Sequence, residues 1–579
     1  MDGENETAVL EEAITGEFTQ DGTVDLKGNP VRRSRTGGWT ACSFIVVYEV
    51  FERMAFFGIS TNLVVYLTKK LHQGTVASAN NVTNWGGVAL MTPLLGAYFA
   101  DEHYGRYWCV VISSAIYIVG MCLLTLSVSI PKLKPYPCHK ALEGCKASRS
   151  QIGLFYAALY IVALGSGGTK PNISSFGAQQ FDEFEPEEKK RKLSFFNWWV
   201  FCVFIGNLLA NTFLVYIQDN MSWALGYGIP TVGLAISTLI FLVGTPLYRH
   251  KVPIGNPFTT MVKVIVASLR KWRVPVPDDP QELYENIDLE DKCEKGKNRM
   301  KSTPSLRLLD KAAVRVGKDT PWMLCSVTQV EETKQVLRMI PILAATFVPS
   351  TMVAQANTLF VKQGTTLDKH IGRFEIPPAS LLVFLTISIL ISIAIYDRLF
   401  VKVMKKWTRN PRGITLLQRM GIGLVLHVMI MVVASVTESK RLRFAKYHGL
   451  VAKGEVPSTI FVLVPQFVLM GMADAVLEGG KMEFFYDQAP ESMKSLGASF
   501  FPISLGVGSF LSSIILSTLS NITKKHCSEG WILDNLNASH LDYYYAFLAT
   551  LSFFNLMFFI VVARIYVYKS RDPQHDLSH

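Results

Sequence analysis

Three charged residues, Glu49, Glu52 and Arg53, stand inside the otherwise apolar stretch VVYEVFERMAFFG (46–58). On a helix, Glu49 lies three residues from Glu52 and four from Arg53, so all three crowd one face. Two neighbouring carboxylates resist joint ionisation, while a guanidinium keeps its charge. Such a group is suited to take up and release a proton; the plainer alternative is a structural ion pair. Lys170, in ALGSGGTKPNISSFG (163–177), is the second candidate. Gly165, Gly167 and Gly168 before it suit close helix packing around a buried amine, although a lysine beside Pro171 near a span end can also snorkel to the surface. A third set lies in ADAVLEGGKMEFFYDQAP (473–490). Asp474 is its deepest acid, Glu478 and Lys481 are spaced to satisfy each other, and Glu483 sits nearer the end, where an interfacial role fits. Gln355 and Asn357, in TMVAQANTLFV (351–361), form a polar face that can bond a solute or another helix.

These residues carry functional weight only if the segments around them cross a membrane. An ionisable residue deep in a span costs at least ~2.5–3.5 kcal/mol and usually faces an ion or substrate pathway. The chain has 579 residues, of which 49% are hydrophobic and 18% charged, against about 25% charged in a soluble protein. Apolar runs such as LLVFLTISILISIAIY (381–396) recur, and a span needs about 20 mostly apolar residues. The fold class is therefore an all-α polytopic membrane protein in the lipid bilayer. The net charge of +11 belongs to cytoplasmic loops and, with no basic–aromatic module beside it, does not indicate nucleic acid. Nine scattered cysteines form no CxxC pair, so no metal site is expected. Cys138 and Cys145 share one polar loop and can form a disulfide if that loop is non-cytosolic.

Twelve spans are expected, near 40–67, 77–99, 107–130, 150–175, 195–217, 222–246, 335–361, 376–398, 413–437, 457–486, 491–519 and 543–568. They divide the chain into a cytosolic tail (1–38), a six-helix bundle (39–248), a cytosolic linker (249–334), a second six-helix bundle (335–569) and a short cytosolic tail (570–579). The first 38 residues are polar, so the first span is expected to direct insertion. The linker holds one weakly amphipathic run, SLRLLDKAAVRV (305–316). VRRSR (31–35), FEPEEKKRKL (184–193) and FVKVMKKWTRNPR (400–412) share one side, which their basic residues assign to the cytosol; KRLRFAKYHG (440–449) is basic yet falls opposite. The last outer loop holds the glycosylation acceptors Asn521-Ile-Thr and Asn537-Ala-Ser. Two six-helix halves suggest alternating access around a site near the midplane. No channel filter loop, His-rich cluster or nucleophile elbow marks a channel or an enzyme.

At these residues the sequence resembles the plant nitrate transporter 1/peptide transporter family, a branch of the proton-coupled oligopeptide transporters in the major facilitator superfamily, and most of all its peptide-transporter-3-type members. The resemblance covers about 35–570 and rests on Glu49-Val50-Phe51-Glu52-Arg53 as the E-x-x-E-R motif, on GAYFADEHYGRY (96–107) with Asp101, Gly105 and Arg106 as gating-loop residues, and on LSFFNWW, RFEIPPAS, NPRGITLLQRMGIG and MEFFYDQAPESMKS. It implies the twelve-helix superfamily fold and proton symport with no other cofactor. Glu49 and Glu52 would take the proton, Arg53 and Lys170 would engage an anionic substrate group, and Asp474 would stand where the family's tenth-helix glutamate receives a peptide's amine.

The sequence departs from the family at four places. Val353 stands where nitrate-carrying relatives have a histidine, and Cys109 where the family has a phosphorylated threonine. Phe56 and Phe57 replace tyrosines of peptide carriers, and Asp474 is one methylene shorter than the usual glutamate. The expected function is proton-coupled uptake of di- and tripeptides. Another organic solute, such as a plant hormone or a glycosylated specialised metabolite, or nitrate, is the alternative. The plasma membrane is the expected location, with the vacuolar membrane as the other.

Overall fold

The computed structural model describes residues 18–134, 147–182, 184–251, 257–277, 279, 282–285, 302–316, 322–408, 412–452, 454–526 and 530–568. Cys138 and Cys145 lie outside these residues. Each of the twelve expected spans falls on a helix. The first is α1 (Gly38–Ser60), continued by α2 (Leu63–Lys69). Then follow α3 (Thr75–Phe99), α4 (Gly105–Ser129), α5 (Arg149–Ala178), α6 (Pro186–Leu209) with α7 (Val215–Asn220), and α8 (Trp223–Val243). The stretch expected as a linker holds α9 (Pro257–Arg270) and most of α10 (Val327–Arg338), which runs past its expected end at 334. The seventh span is built from α11 (Ile340–Ala345), α12 (Phe347–Ala356) and α13 (Leu359–Gly364). α14 (Leu382–Ile395), α15 (Val401–Thr408), α16 (Leu416–Tyr447), α17 (Val464–Gln488), α18 (Lys494–His526) and α19 (Leu541–Ile565) complete the chain. Several starts are written locally: Ser148 with Gln151, Ser326 with Gln329 and Thr415 with Gln418 form capping boxes that open α5, α10 and α16.

Among the described residues nine helices are long and apolar enough to cross a membrane, or ten if the pair Val327–Ala345 and Phe347–Gly364, bent by 47°, is one span. One of the nine, Thr75–Ser129, has 55 residues and as a straight rod would run about 80 Å, against a membrane core of about 30 Å. That length suits two crossings rather than one: the chain breaks at Gly105, whose φ of 73° favours glycine, and α3 and α4 both pack along α5. Helix α1, with its three charges, stands outside the nine.

Helix α1 packs against α5, α6 and α8, while α16 packs against α17 and α19, and α12 against α18. Contacts that join the early helices to the late ones include α3 along α18, α6 against α14 and α2 against α13. The Gly-rich run before Lys170 sits where packing is closest. A methyl at Gly165 would lie 2.5 Å from the Tyr117 backbone nitrogen on α4. Further contacts between early and late helices gather on the face opposite the basic loops. There Tyr216 stacks on Phe374 at 5.2 Å, and Asn220 Nδ2 donates to the Glu375 carbonyl at 3.2 Å.

Two stretches that the sequence left open take shape here. The run 305–316 forms a 3-10 turn over Arg307–Ala313. It packs with α9 and α10 around Val264, Ala267 and Val330, over the buried Lys334, which pairs with Asp310 at 2.6 Å and Glu331 at 2.7 Å. The stretch 440–449, basic on the wrong side, is mostly the end of α16. Its Arg441 is buried and paired with Glu438 at 2.6 Å, so that charge is neutralised rather than presented. On the basic face, residues 18–36 strap across the helix ends: Gln20 N donates to Asp182 Oδ2 at 2.8 Å, and Val24 exchanges backbone hydrogen bonds with His250.

Candidate transport site

On α1, Arg53 Nε donates to Glu49 Oε1 at 2.7 Å and lies 3.4 Å from Glu52 Oε2. Glu49 and Glu52 are 0% and 1% exposed, while the Arg53 side chain keeps 12%. Glu49 Oε2 and both Glu52 oxygens accept no hydrogen bond from the described residues. A buried carboxylate so placed is stable beside a cation or as the neutral acid, so the cluster can change its proton content without dismantling a hydrogen-bond network. Gly206 on α6 makes room for it, since a methyl there would lie 2.8 Å from Arg53 Cβ. Tyr48, one turn before Glu52, bonds Ser114 at 2.8 Å. The buried Tyr117 hydroxyl has no partner among the described residues and is within electrostatic reach of Glu52 and Arg53.

Lys170 joins this cluster. It is within electrostatic reach of Glu49, Glu52 and Arg53, and its Nζ lies 2.9 Å from the centroid of the Phe56 ring. Phe56 stacks on Trp85 at 5.5 Å, and Trp85 Nε1 donates to the Leu159 carbonyl at 2.8 Å. The phenylalanine that replaces a tyrosine is therefore the seat of the amine, through a cation–π contact. Pro171 interrupts the α5 ladder, and Asn172 Nδ2 ties that helix to α3 by donating to the Gly96 carbonyl at 3.1 Å.

On α17, Glu478 and Lys481 pair at 2.7 Å, as their spacing suggests, and Lys481 also donates to Ser504 at 2.9 Å. Asp474 stands one turn before Glu478, within electrostatic reach of it and of Lys481; its buried Oδ1 has no hydrogen-bond partner among the described residues. No described ion pair joins Asp474 to Lys170: the two stand on separate helix groups. Glu483 lies at the basic face, 3.2 Å from Arg419. Gln355 is 1% exposed and spends its Nε2 on the Thr351 carbonyl and Ser512 Oγ, both at 3.0 Å. It is bound helix to helix rather than presented to a solute. Asp101 and Arg106 approach to 3.8 Å, with Arg106 Nη1 donating to the Ser175 carbonyl at 3.3 Å. Cys109 is buried with its thiol 3.6 Å from the Gly96 carbonyl, and Val353 packs against the core.

Asn521 is exposed near the end of α18. Asn537 is a correction. It is 3% exposed, its Nδ2 donates to the Leu450 and Gly454 carbonyls, and its Oδ1 accepts from Arg441. The nitrogen a glycan needs is inside the protein. Sequence reasoning also missed Tyr117, one aromatic among many, and Arg419, whose pairing with Glu483 spans two helices. The pair Glu438 and Arg441 carried a readable signal, spacing of three on one helix, but fell beyond the expected end of the ninth span.

The sequence profile of the POT family matches residues 107–532. The chain belongs to the POT family. Protein NRT1/ PTR FAMILY 5.2 of Arabidopsis thaliana is 61% identical over 564 residues, covering 96% of this chain and 97% of the relative. Protein NRT1/ PTR FAMILY 5.3 of the same plant is 59% identical over 564 residues, covering 96% of each. The chain is thus one of the plant NRT1/PTR members of the POT family. A crystal structure of an auto-inhibited POT family peptide transporter shares the fold, with a TM-score of 0.67 at 19% identity over 92% of this chain and 99% of that one. As a POT family member this is an integral multi-pass membrane transporter of the major facilitator fold, proton-coupled, without organic cofactor or metal, and not an enzyme.

Proposed function

We propose that the protein is a symporter of di- and tripeptides with protons, working by alternating access, with its basic face in the cytosol and the plasma membrane as its location. One observation carries the reading: Arg53 is shared between two buried carboxylates, and Lys170 lies in reach of all three. While Glu49 and Glu52 are both ionised, they hold the guanidinium. A proton on Glu52 weakens that hold, and Arg53 with Lys170 can then take the carboxylate end of a zwitterion. Proton and substrate thereby favour each other's binding, as linkage requires. Asp474, with an unpartnered oxygen, is suited to the amine end. In the proposed orientation the contacts gathered on the opposite face close the outer side, and Asp101 with Arg106 belongs to the inner one. Gln355 takes part only if its bond to Ser512 opens.

A second reading has its own support. The Phe56 ring already faces Lys170, and Phe57 packs against Phe56 at 5.7 Å. A pocket with apolar rings in place of hydroxyls suits a larger, less polar organic anion, such as a hormone or a glycosylated metabolite. Val353, without an imidazole, speaks against nitrate. Uptake of labelled dipeptide into oocytes at acidic and neutral external pH separates these readings. Acid-stimulated dipeptide uptake is expected; no uptake at either pH, with hormone or glucoside currents instead, overturns the peptide reading.

A further inference from the structure

On the face opposite the basic loops, the first turn of α3 is capped by a residue more than four hundred positions away in the chain. Gly74 occupies the N-cap position and has no side chain to cap with. Asp534, between α18 and α19, supplies the missing group. Its Oδ1 accepts from Thr75 N at 2.7 Å, and the Thr75 hydroxyl donates to the Asp534 carbonyl at 3.4 Å. The glycine leaves the opening that the carboxylate fills: a methyl on Gly74 would lie 2.8 Å from that same Oδ1. The contact is closed in, since Thr75 is 2% exposed. Further along the same α3–α18 contact, Asn80 Nδ2 donates to Ser517 Oγ at 2.7 Å. Lys362 on α13 is within electrostatic reach of Asp534.

We propose that Asp534 is a positioning residue of the transport cycle: a helix cap lent across the two halves of the chain, which holds this face shut and must be withdrawn for it to open. The first N–H groups of any helix lack partners within the helix. A cap from the same half would be unchanged by rocking of the halves. A cap from the other half exists only while they are together, so its free energy biases the equilibrium between states. Asparagine caps about as well as aspartate, so the hydrogen bond rather than the charge is the working part. The inference rests on alternating access and not on which solute is carried.

The test uses purified full-length protein in detergent carrying Ser517→Cys, with maleimide labelling of that position measured against the parent lacking it. Asp534→Ala and Gly74→Ala approach the same contact from opposite halves, the second by crowding the oxygen off Thr75. Each is expected to speed labelling about fivefold, the effect of losing one ordinary N-cap. Asp534→Asn should stay near the reference rate, and the double variant should label no faster than either single one. Unchanged labelling in both single variants, labelling by Asp534→Asn as fast as by Asp534→Ala, or additive effects in the double variant would overturn the proposal. If Asp534→Ala does not fold, Gly74→Ala and Asp534→Asn still decide it.

Discussion

Glu52→Gln probes the proton site most directly, because it fixes position 52 in a neutral form of nearly the same shape. Glu52 Oε2 lies 3.4 Å from Arg53 Nε, and Glu49 Oε1 lies 2.7 Å from the same atom. With an effective dielectric constant of about 20, those distances correspond to gross attractions of about 5 and about 6 kcal/mol. Desolvation offsets much of each figure, but their ratio is informative: neutralising Glu52 removes nearly half of the pull on Arg53 and leaves the shorter contact. The guanidinium should stay in place, the fold should survive, and the substrate end should remain usable. Only proton-driven accumulation should be lost. One pH unit is worth about 1.4 kcal/mol, so one coupled proton supports about tenfold accumulation per unit of gradient. In proteoliposomes with an imposed pH gradient, the native protein should concentrate labelled dipeptide and Glu52→Gln should only equilibrate it, while exchange of labelled for unlabelled peptide continues. Gradient-driven accumulation by Glu52→Gln at the native ratio would refute the coupling role. Loss of exchange as well, in folded protein, would show that the residue binds substrate instead.

Glu49→Gln should behave differently: it removes the shorter contact, and breaking a buried pair costs about 3–5 kcal/mol, so a lowered Tm in detergent is expected before any change in coupling. Asp474→Ala should weaken peptide binding while leaving Tm nearly unchanged, since its Oδ1 has no described partner to lose; unaltered peptide affinity would remove it from the site. Asn537→Ala should lower Tm, by about 1–3 kcal/mol of stability for orphaned buried groups, and should leave the glycosidase-sensitive mass unchanged. The strap at 18–36 should resist proteolysis down to acid pH. Burial pushes the Asp182 carboxyl up, but hydrogen bonds from Gln20, Phe184 and Arg33 outweigh it and hold it below its ordinary 3.8. That contribution is complete above 3.8 and fades only as pH falls through the lowered value, so strap release near neutral pH would contradict it.

What could be read in advance was local. The membrane class follows from apolar runs, and the helical spans from their length. Glu49, Glu52 and Arg53, and likewise Glu478 and Lys481, meet because residues three or four apart on a helix are neighbours. Capping boxes at Ser148, Ser326 and Thr415 were also within reach of a local reading. Asn537 shows the limit of a motif. N-x-S is a three-residue signal, while burial by Leu450, Gly454 and Arg441 depends on chain about ninety residues earlier. Gln355 shows the same limit: the sequence left a solute and another helix open, because a polar residue in a span looks the same whether it faces a solute or Ser512.

The sequence by itself determined where charge enters the membrane, because the helical repeat converts spacing into proximity without help from the rest of the fold. It determined, too, that the run before Lys170 would be tightly packed, since only glycine leaves room for a neighbouring backbone. Tertiary structure alone decided what each charge meets. Phe56 is a seat for Lys170 because α1 and α5 pack together with α3 behind them. Asp534 reaches Thr75 because α3 and α18 lie side by side. Such contacts join residues whose separation along the chain carries no geometric information, and packing of whole helices fixes them.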